Sequence, residues 1–93
     1  MKQITECLDR AFNNKKPLKK KWRAGILTIE NVSLLIMFHY HHMIMAYDLN
    51  NHVYLHEWYE TSADLRGLNA AKKYLEEHSY EEICDRYVKQ WIA

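Results

Sequence analysis

The 93-residue chain is poor in the residues that crosslink or punctuate a fold: two Cys, two Gly and one Pro. Cys7 and Cys84 cannot make a disulfide framework, and no charged-then-apolar signal segment opens the chain. The expected setting is a reducing cytoplasm. So little Gly and Pro excludes fibrous and low-complexity chains, and Gly25 and Gly67 lie too far apart for a Gly-rich phosphate loop. A long apolar run is missing as well. The longest stretch free of Lys and Arg lies between Arg23 and Arg66, where Thr28, Glu30, Asn31, Ser33, several His and Asp48 interrupt it, so it does not read as a membrane span.

What is present fits one globular domain over residues 1–93: 48% of residues are hydrophobic, too many for a disordered chain, and the length suits a single core. The net charge of +1 conceals a division. Residues 1–23 carry eight Lys or Arg against Glu6 and Asp9, a balance of +6, and residues 24–93 carry five against ten acids, a balance of −5. A chain divided this way offers a local anion-binding patch without being basic overall.

Ile4, Cys7, Leu8, Ala11 and Phe12 recur at spacings of three and four, which predicts a helix over 3–13 ended by Asn13-Asn14 and Pro17. From Trp22 the period becomes two. Trp22–Ile29 reads as a strand, Glu30-Asn31 as a tight turn, and Val32–Asp48 as one long strand, bulged or broken near His41-His42. Asn50-Asn51 then turns the chain into a third strand, His52–Tyr59. Thr61-Ser62-Ala63-Asp64 opens a helix whose stripe is Leu65, Leu68, Ala71 and Leu75. Ser79 and Glu82 form a capping box for a last helix bearing Ile83, Cys84, Tyr87, Val88, Trp91 and Ile92, with Trp91 expected in the core. The predicted architecture is α+β: a three-stranded antiparallel β-meander with one N-terminal and two C-terminal helices.

Counting across the two turns divides the sheet into unlike faces. Leu27, Ile29, Val32, Leu34, Ile36, Phe38, Tyr40, Ile44, Ala46, Val53 and Leu55 make an aliphatic face, the natural partner for helices. Opposite lie Trp22, Ile26, Leu35, Met37, His39, His41, Met43, Met45, Tyr47, Tyr54, His56 and Trp58. Such a face is either covered by a further helix or is a contact surface, since Met and aromatic residues are enriched at interfaces. Met43, Met45, Tyr47, Tyr54, His56 and Trp58 are its protein-binding candidates.

Chemistry is weakly signalled. His39, His41, His42, His52 and His56 lack a nearby Cys or carboxylate at ligand spacing, so no metal site or other cofactor is expected. No nucleophile elbow occurs, both Cys fall on core stripes, and acid-base pairs drawn from Asp48, Glu57 or Glu60 with a His are no more than chance allows. A catalytic role is therefore not expected. The sharper feature is the connector: Lys15, Lys16, Lys19, Lys20, Lys21 and Arg23 surround Trp22 within nine residues. Cations beside an aromatic ring suit single-stranded nucleic acid, whose phosphates pair with the charges while a base stacks on the ring; the alternative is a solvated loop.

The run GILTIENVSLLIMFHYHHMIMAYDL and then WYETSADLRGLNAAKKYL, with its Asn, Lys, Ile and Tyr bias, looks like a small open reading frame of a low-GC Gram-positive mobile element. Over residues 22–75 it resembles the small accessory proteins encoded beside the A-family polymerase-like primase of staphylococcal cassette chromosome elements. That resemblance implies a non-catalytic partner that docks on a larger DNA-replication enzyme and supports priming; it assigns no site residues. Two alternatives share this size and composition. One is a phage or mobile-element inhibitor of a host defence nuclease, with Glu76, Glu77, Glu81, Glu82 and Asp85 as a nucleic-acid-like acidic cluster. The other is a free-standing nucleic-acid-binding protein.

Overall fold

The computed structural model describes residues 2–13, 15–17 and 20–78. Among these, helix α1 (Lys2–Phe12) is followed by strands β1 (Trp22–Ile29), β2 (Val32–His39), β3 (His42–Asp48) and β4 (Val53–Glu57), then helix α2 (Ser62–Glu77). The strands form one antiparallel sheet in the order β1-β2-β3-β4. The class is α+β, as the periodicities imply, but the meander has four strands rather than three. The predicted last helix, with Ser79 and Trp91, lies outside the described residues.

α1 buries Ile4, Leu8, Ala11 and Phe12 along its expected stripe. Asn13 closes it, donating backbone N–H and side-chain Nδ2 to the Asp9 carbonyl at 3.0 and 2.6 Å. The first hairpin has the register that counting predicts, from Ile29 opposite Val32 to Trp22 opposite His39. Glu30 and Asn31 both take positive φ, 48° and 71°, the backbone of a primed hairpin turn.

The break expected near His41-His42 falls at Tyr40-His41 and is a full chain reversal, although this pair carries neither Gly, Asn nor Pro. Long-range bonds hold the reversal. Tyr40 adopts φ 55°, its N–H donates to the Lys21 carbonyl at 2.8 Å, and its own carbonyl accepts Arg23 Nη2 at 2.7 Å. A left-handed Tyr is disfavoured locally, so contacts 19 and 17 residues away in sequence, not turn chemistry, place this bend. Beyond it the register slips between Met37 and Phe38, leaving Ile44 as an extra residue that turns into the core. The β3–β4 loop is built on Asp48, which accepts the Asn50 and Asn51 N–H groups and Asn51 Nδ2 at 2.8–3.1 Å. These bonds, first the Asn51 side chain, hold the Asp48 carboxyl below the usual carboxylate range.

Both helices pack on the Met- and aromatic-rich side of the sheet, the reverse of the expected arrangement. Trp22, Ala24, Leu35, Met37, Met45 and Tyr47 are buried there with Ile4, Leu8, Phe12, Leu68, Ala71 and Leu75. The reason is complementarity of size. Both sheet faces are apolar, so alternation alone does not choose between them. α2 offers Gly67, and the Trp22 ring fills the gap that it leaves. Trp22 lies so close to Gly67 that a Cβ there would collide with Cη2, Cζ2 and Cζ3 of the indole. Gly67→Ala is therefore expected to destabilise the fold by about 1–3 kcal/mol through overpacking, although Ala favours a helix by ~1 kcal/mol. Thermal or urea unfolding checks the sign; a more stable variant would mean the indole moves freely aside.

Candidate protein and nucleic-acid interfaces

At the start of α2, Thr61 is the N-cap. Its Oγ1 accepts the Asp64 N–H at 3.1 Å, and Asp64 Oδ2 accepts the N–H groups of Thr61 and Glu60 at 2.9 and 3.1 Å. The helix start was legible in the sequence. The second task of Asp64 was not: its Oδ1 accepts Nδ1–H of His39 at 2.6 Å, across 25 residues of chain. The His39 ring also stacks on Trp22, centroids 4.0 Å apart and planes within 10°. Asp64 is buried, yet the His39 hydrogen bond, followed by the Thr61 and Glu60 N–H groups, holds its carboxyl far below the usual range against the opposing effect of burial. The pair ties the first turn of α2 to the end of β2. Among the described residues no three His, Cys, Asp or Glu side chains meet as a group that could hold a metal ion.

The connector is only partly as expected. Lys15, Lys16 and Lys21 are exposed, Lys20 is exposed and pairs with Glu6 at 3.4 Å, and Lys19 lies outside the described residues. Arg23 is half-buried, bound to the Tyr40 carbonyl with its guanidinium 5.4 Å from the Phe38 ring centroid. Trp22 has only 5% of its surface exposed. It is a core residue, and no base can stack on it in this fold. The ring that does stand open beside these cations is Tyr40, 51% exposed. No composition rule marks it, because the turn that presents it is held by tertiary bonds.

The protein-binding candidates separate. Met45 and Tyr47 are fully buried beneath the helices, and Tyr54 and Trp58 are half-buried. Tyr54 meets Tyr47 edge-on with centroids 4.8 Å apart, and Lys72 of α2, itself paired with Glu57, stands over its ring at 5.2 Å. Met43 and His56 are exposed, with His56 Nε2 bonded to the Met43 carbonyl at 3.0 Å. The surface that stays open among the described residues is the aliphatic one. Leu27, Ile29 and Val53 are 47%, 52% and 47% exposed, Leu27 and Val53 lying in register through Leu34 and Asp48, and Leu34, Ile36 and Phe38 are half-buried between them. Gly25 lies on this face, and no atom stands within 4 Å of where its Cβ would be. The result is a shallow notch of about 240 Å³ walled by Arg23, Leu27, Ile36, Phe38 and Pro17.

Cys7 is half-buried, and loss of water around it pushes the thiol up to about 12, so it is a poor nucleophile at neutral pH. Of the acidic cluster, Glu76 and Glu77 are exposed on the last turn of α2, and Glu81, Glu82 and Asp85 lie outside the described residues. No helix among the described residues is long and apolar enough to cross a membrane. No protein-family model, curated protein or solved structure matches the chain.

Proposed function

We propose that the chain is a non-catalytic accessory protein of a bacterial mobile genetic element. In this reading it docks on a larger DNA-replication enzyme, a polymerase or primase, and its basic connector meets single-stranded DNA. The carrying observation is the aliphatic face, open among the described residues, with its notch at Gly25. Four strands of five to eight residues make a surface on the order of 400 Å², from the strand rise and spacing. The apolar side chains make up part of that area, which is of the size of the largest patch on a typical monomer, roughly 300–600 Å², and such patches are often functional. A standard interface takes roughly 800 Å² from each side, so the face would supply its apolar centre and the Lys15, Lys16 and Arg23 cations one end of its rim. The partner surface fitting this description is an apolar ridge with carboxylates at one end, one side chain of which enters the notch.

Gly25→Val tests the reading because fold and binding should move in opposite directions. With open space at the Cβ position and a β-branched residue in a strand, stability should rise by about 0.5–1 kcal/mol. The filled notch should weaken capture of the replication enzyme encoded by the neighbouring gene by tenfold or more, measured by pull-down or calorimetry. Leu27→Asp combined with Val53→Asp should abolish capture while the protein stays folded, both side chains being about half exposed. Wild-type affinity in both variants would remove the open face as the docking surface.

A further inference from the structure

A groove of about 590 Å³ runs between the Tyr40-His41 turn and the first turns of α2. Lys21 and Arg66 supply its cations and Tyr40 and His42 its rings, His39 lies on its lining, and Glu60 adds a carboxylate. Lys21, Arg66, Tyr40 and His42 are all exposed. We propose that this groove binds single-stranded nucleic acid, with a base stacked on Tyr40 and the flanking phosphates on Lys21 and Arg66. The proposal rests on the single-strand contact of the reading above and assigns it to a different set of residues from those the connector alone would supply.

The stacking surfaces are already fixed. Tyr40 is held at both backbone atoms, by the Lys21 carbonyl and the Arg23 guanidinium, and its ring rests against His39, centroids 4.7 Å apart and planes 43° from parallel, which limits the freedom it has to lose. His42 is stacked on Trp58, centroids 4.7 Å apart and planes 23° from parallel, which makes a second ledge in the same groove. A platform ordered before binding retains the full stacking energy of a base. The floor is also satisfied in an informative way. Asp64 accepts from His39 and from the Thr61 and Glu60 N–H groups, so its oxygens are engaged within the protein and it lies buried in the groove wall. Among the exposed charges Lys21 and Arg66 outnumber Glu60, while Asp64 evens the formal total. A duplex keeps its bases stacked on each other and cannot offer one to Tyr40, so the chemistry selects a single strand.

The full 93-residue chain is titrated by fluorescence anisotropy against fluorescein-labelled oligothymidylate, with oligouridylate and a duplex as competitors. Tyr40→Asn removes the ring yet suits the positive φ of this position, because Asn tolerates the left-handed region. It should leave the melting temperature unchanged or higher and weaken binding by roughly 5- to 100-fold with the salt dependence unaltered. Lys21→Ala with Arg66→Ala should instead flatten the slope of log affinity against log salt by about 1.4, two phosphates at ~0.7 each. Oligouridylate competing as well as oligothymidylate would place recognition on base and phosphate alone, and a preference for either would add the sugar; both outcomes support the groove. Duplex competing as well as single strand would overturn it. If these variants bind like wild type while Lys15→Ala with Lys16→Ala flattens the slope, the connector binds DNA and the groove does not. If the wild-type chain binds no single strand, both the groove and the single-strand part of the function fall.

Discussion

Trp22→Ala should cost about 3–5 kcal/mol of folding stability, the range for truncating a buried aromatic side chain. The indole lies flat on His39 and against Gly67, and it closes the end of the core where β1 and the start of α2 meet. Its loss leaves a cavity that the small Gly67 and Ala71 positions cannot refill. Urea unfolding of the variant measures the cost, and a loss below about 1 kcal/mol would mean that the ring does not join α2 to the sheet. A double-mutant cycle sharpens the assignment. Gly67→Ala harms the wild type by colliding with the indole, so in the Trp22→Ala background it should become neutral or favourable, an interaction of at least 1 kcal/mol between the two sites. An effect confined to DNA affinity would restore Trp22 to the contact surface that its cationic neighbours advertise.

Asp64→Ala is expected to be nearly as damaging, roughly 2–4 kcal/mol, because one substitution strips His39 of its acceptor and the capping box of its reciprocal half. The pair also predicts a pH dependence. The folded-state pKa of Asp64 is depressed, so its contribution is fully present above the unfolded carboxyl value of about 3.9. It is lost progressively as pH falls below that toward the folded-state value. Asp48 is depressed too and acts in the same direction. Melting temperatures of the wild type should therefore decline as pH is lowered below about 4, and Asp64→Asn, which has no proton to take up there, should decline less steeply. Equal slopes for the two proteins would assign the acid sensitivity to other carboxylates.

Much of the architecture was legible because it is written in short-range periodicity. The α1 stripe, the β1–β2 register and the Thr61–Asp64 helix start each depend on residues within a few positions of one another, where spacing and cap chemistry act directly. The fourth strand was hidden for the converse reason. Lys21 and Arg23 hold Tyr40 in its turn, and with those bonds out of view the break expected in the seventeen-residue run does not read as a reversal that makes two strands. Asn50-Asn51 did mark a turn. The positive φ there belongs to His52, because Asp48 takes the Asn N–H groups and so shapes the loop.

Of the candidate interfaces, the cationic connector could be read from composition and the rings beside it could not. Trp22 and Tyr40 are both aromatic neighbours of that connector, yet one is core and the other surface, and only the side of the sheet that the helices cover separates them. The sequence by itself determined an α+β domain, the alternation that makes two apolar sheet faces, the charge division between the first 23 residues and the rest, and the lack of a phosphate loop or disulfide framework. Tertiary structure alone decided which face is buried. Gly67 leaves room that the Trp22 ring fills, and His39 reaches Asp64 on that same side. Packing energy falls steeply with any gap and rises steeply with any overlap, so the match of ring to notch chose the aromatic face for the core. That choice left the aliphatic face, with its notch at Gly25, turned outward among the described residues.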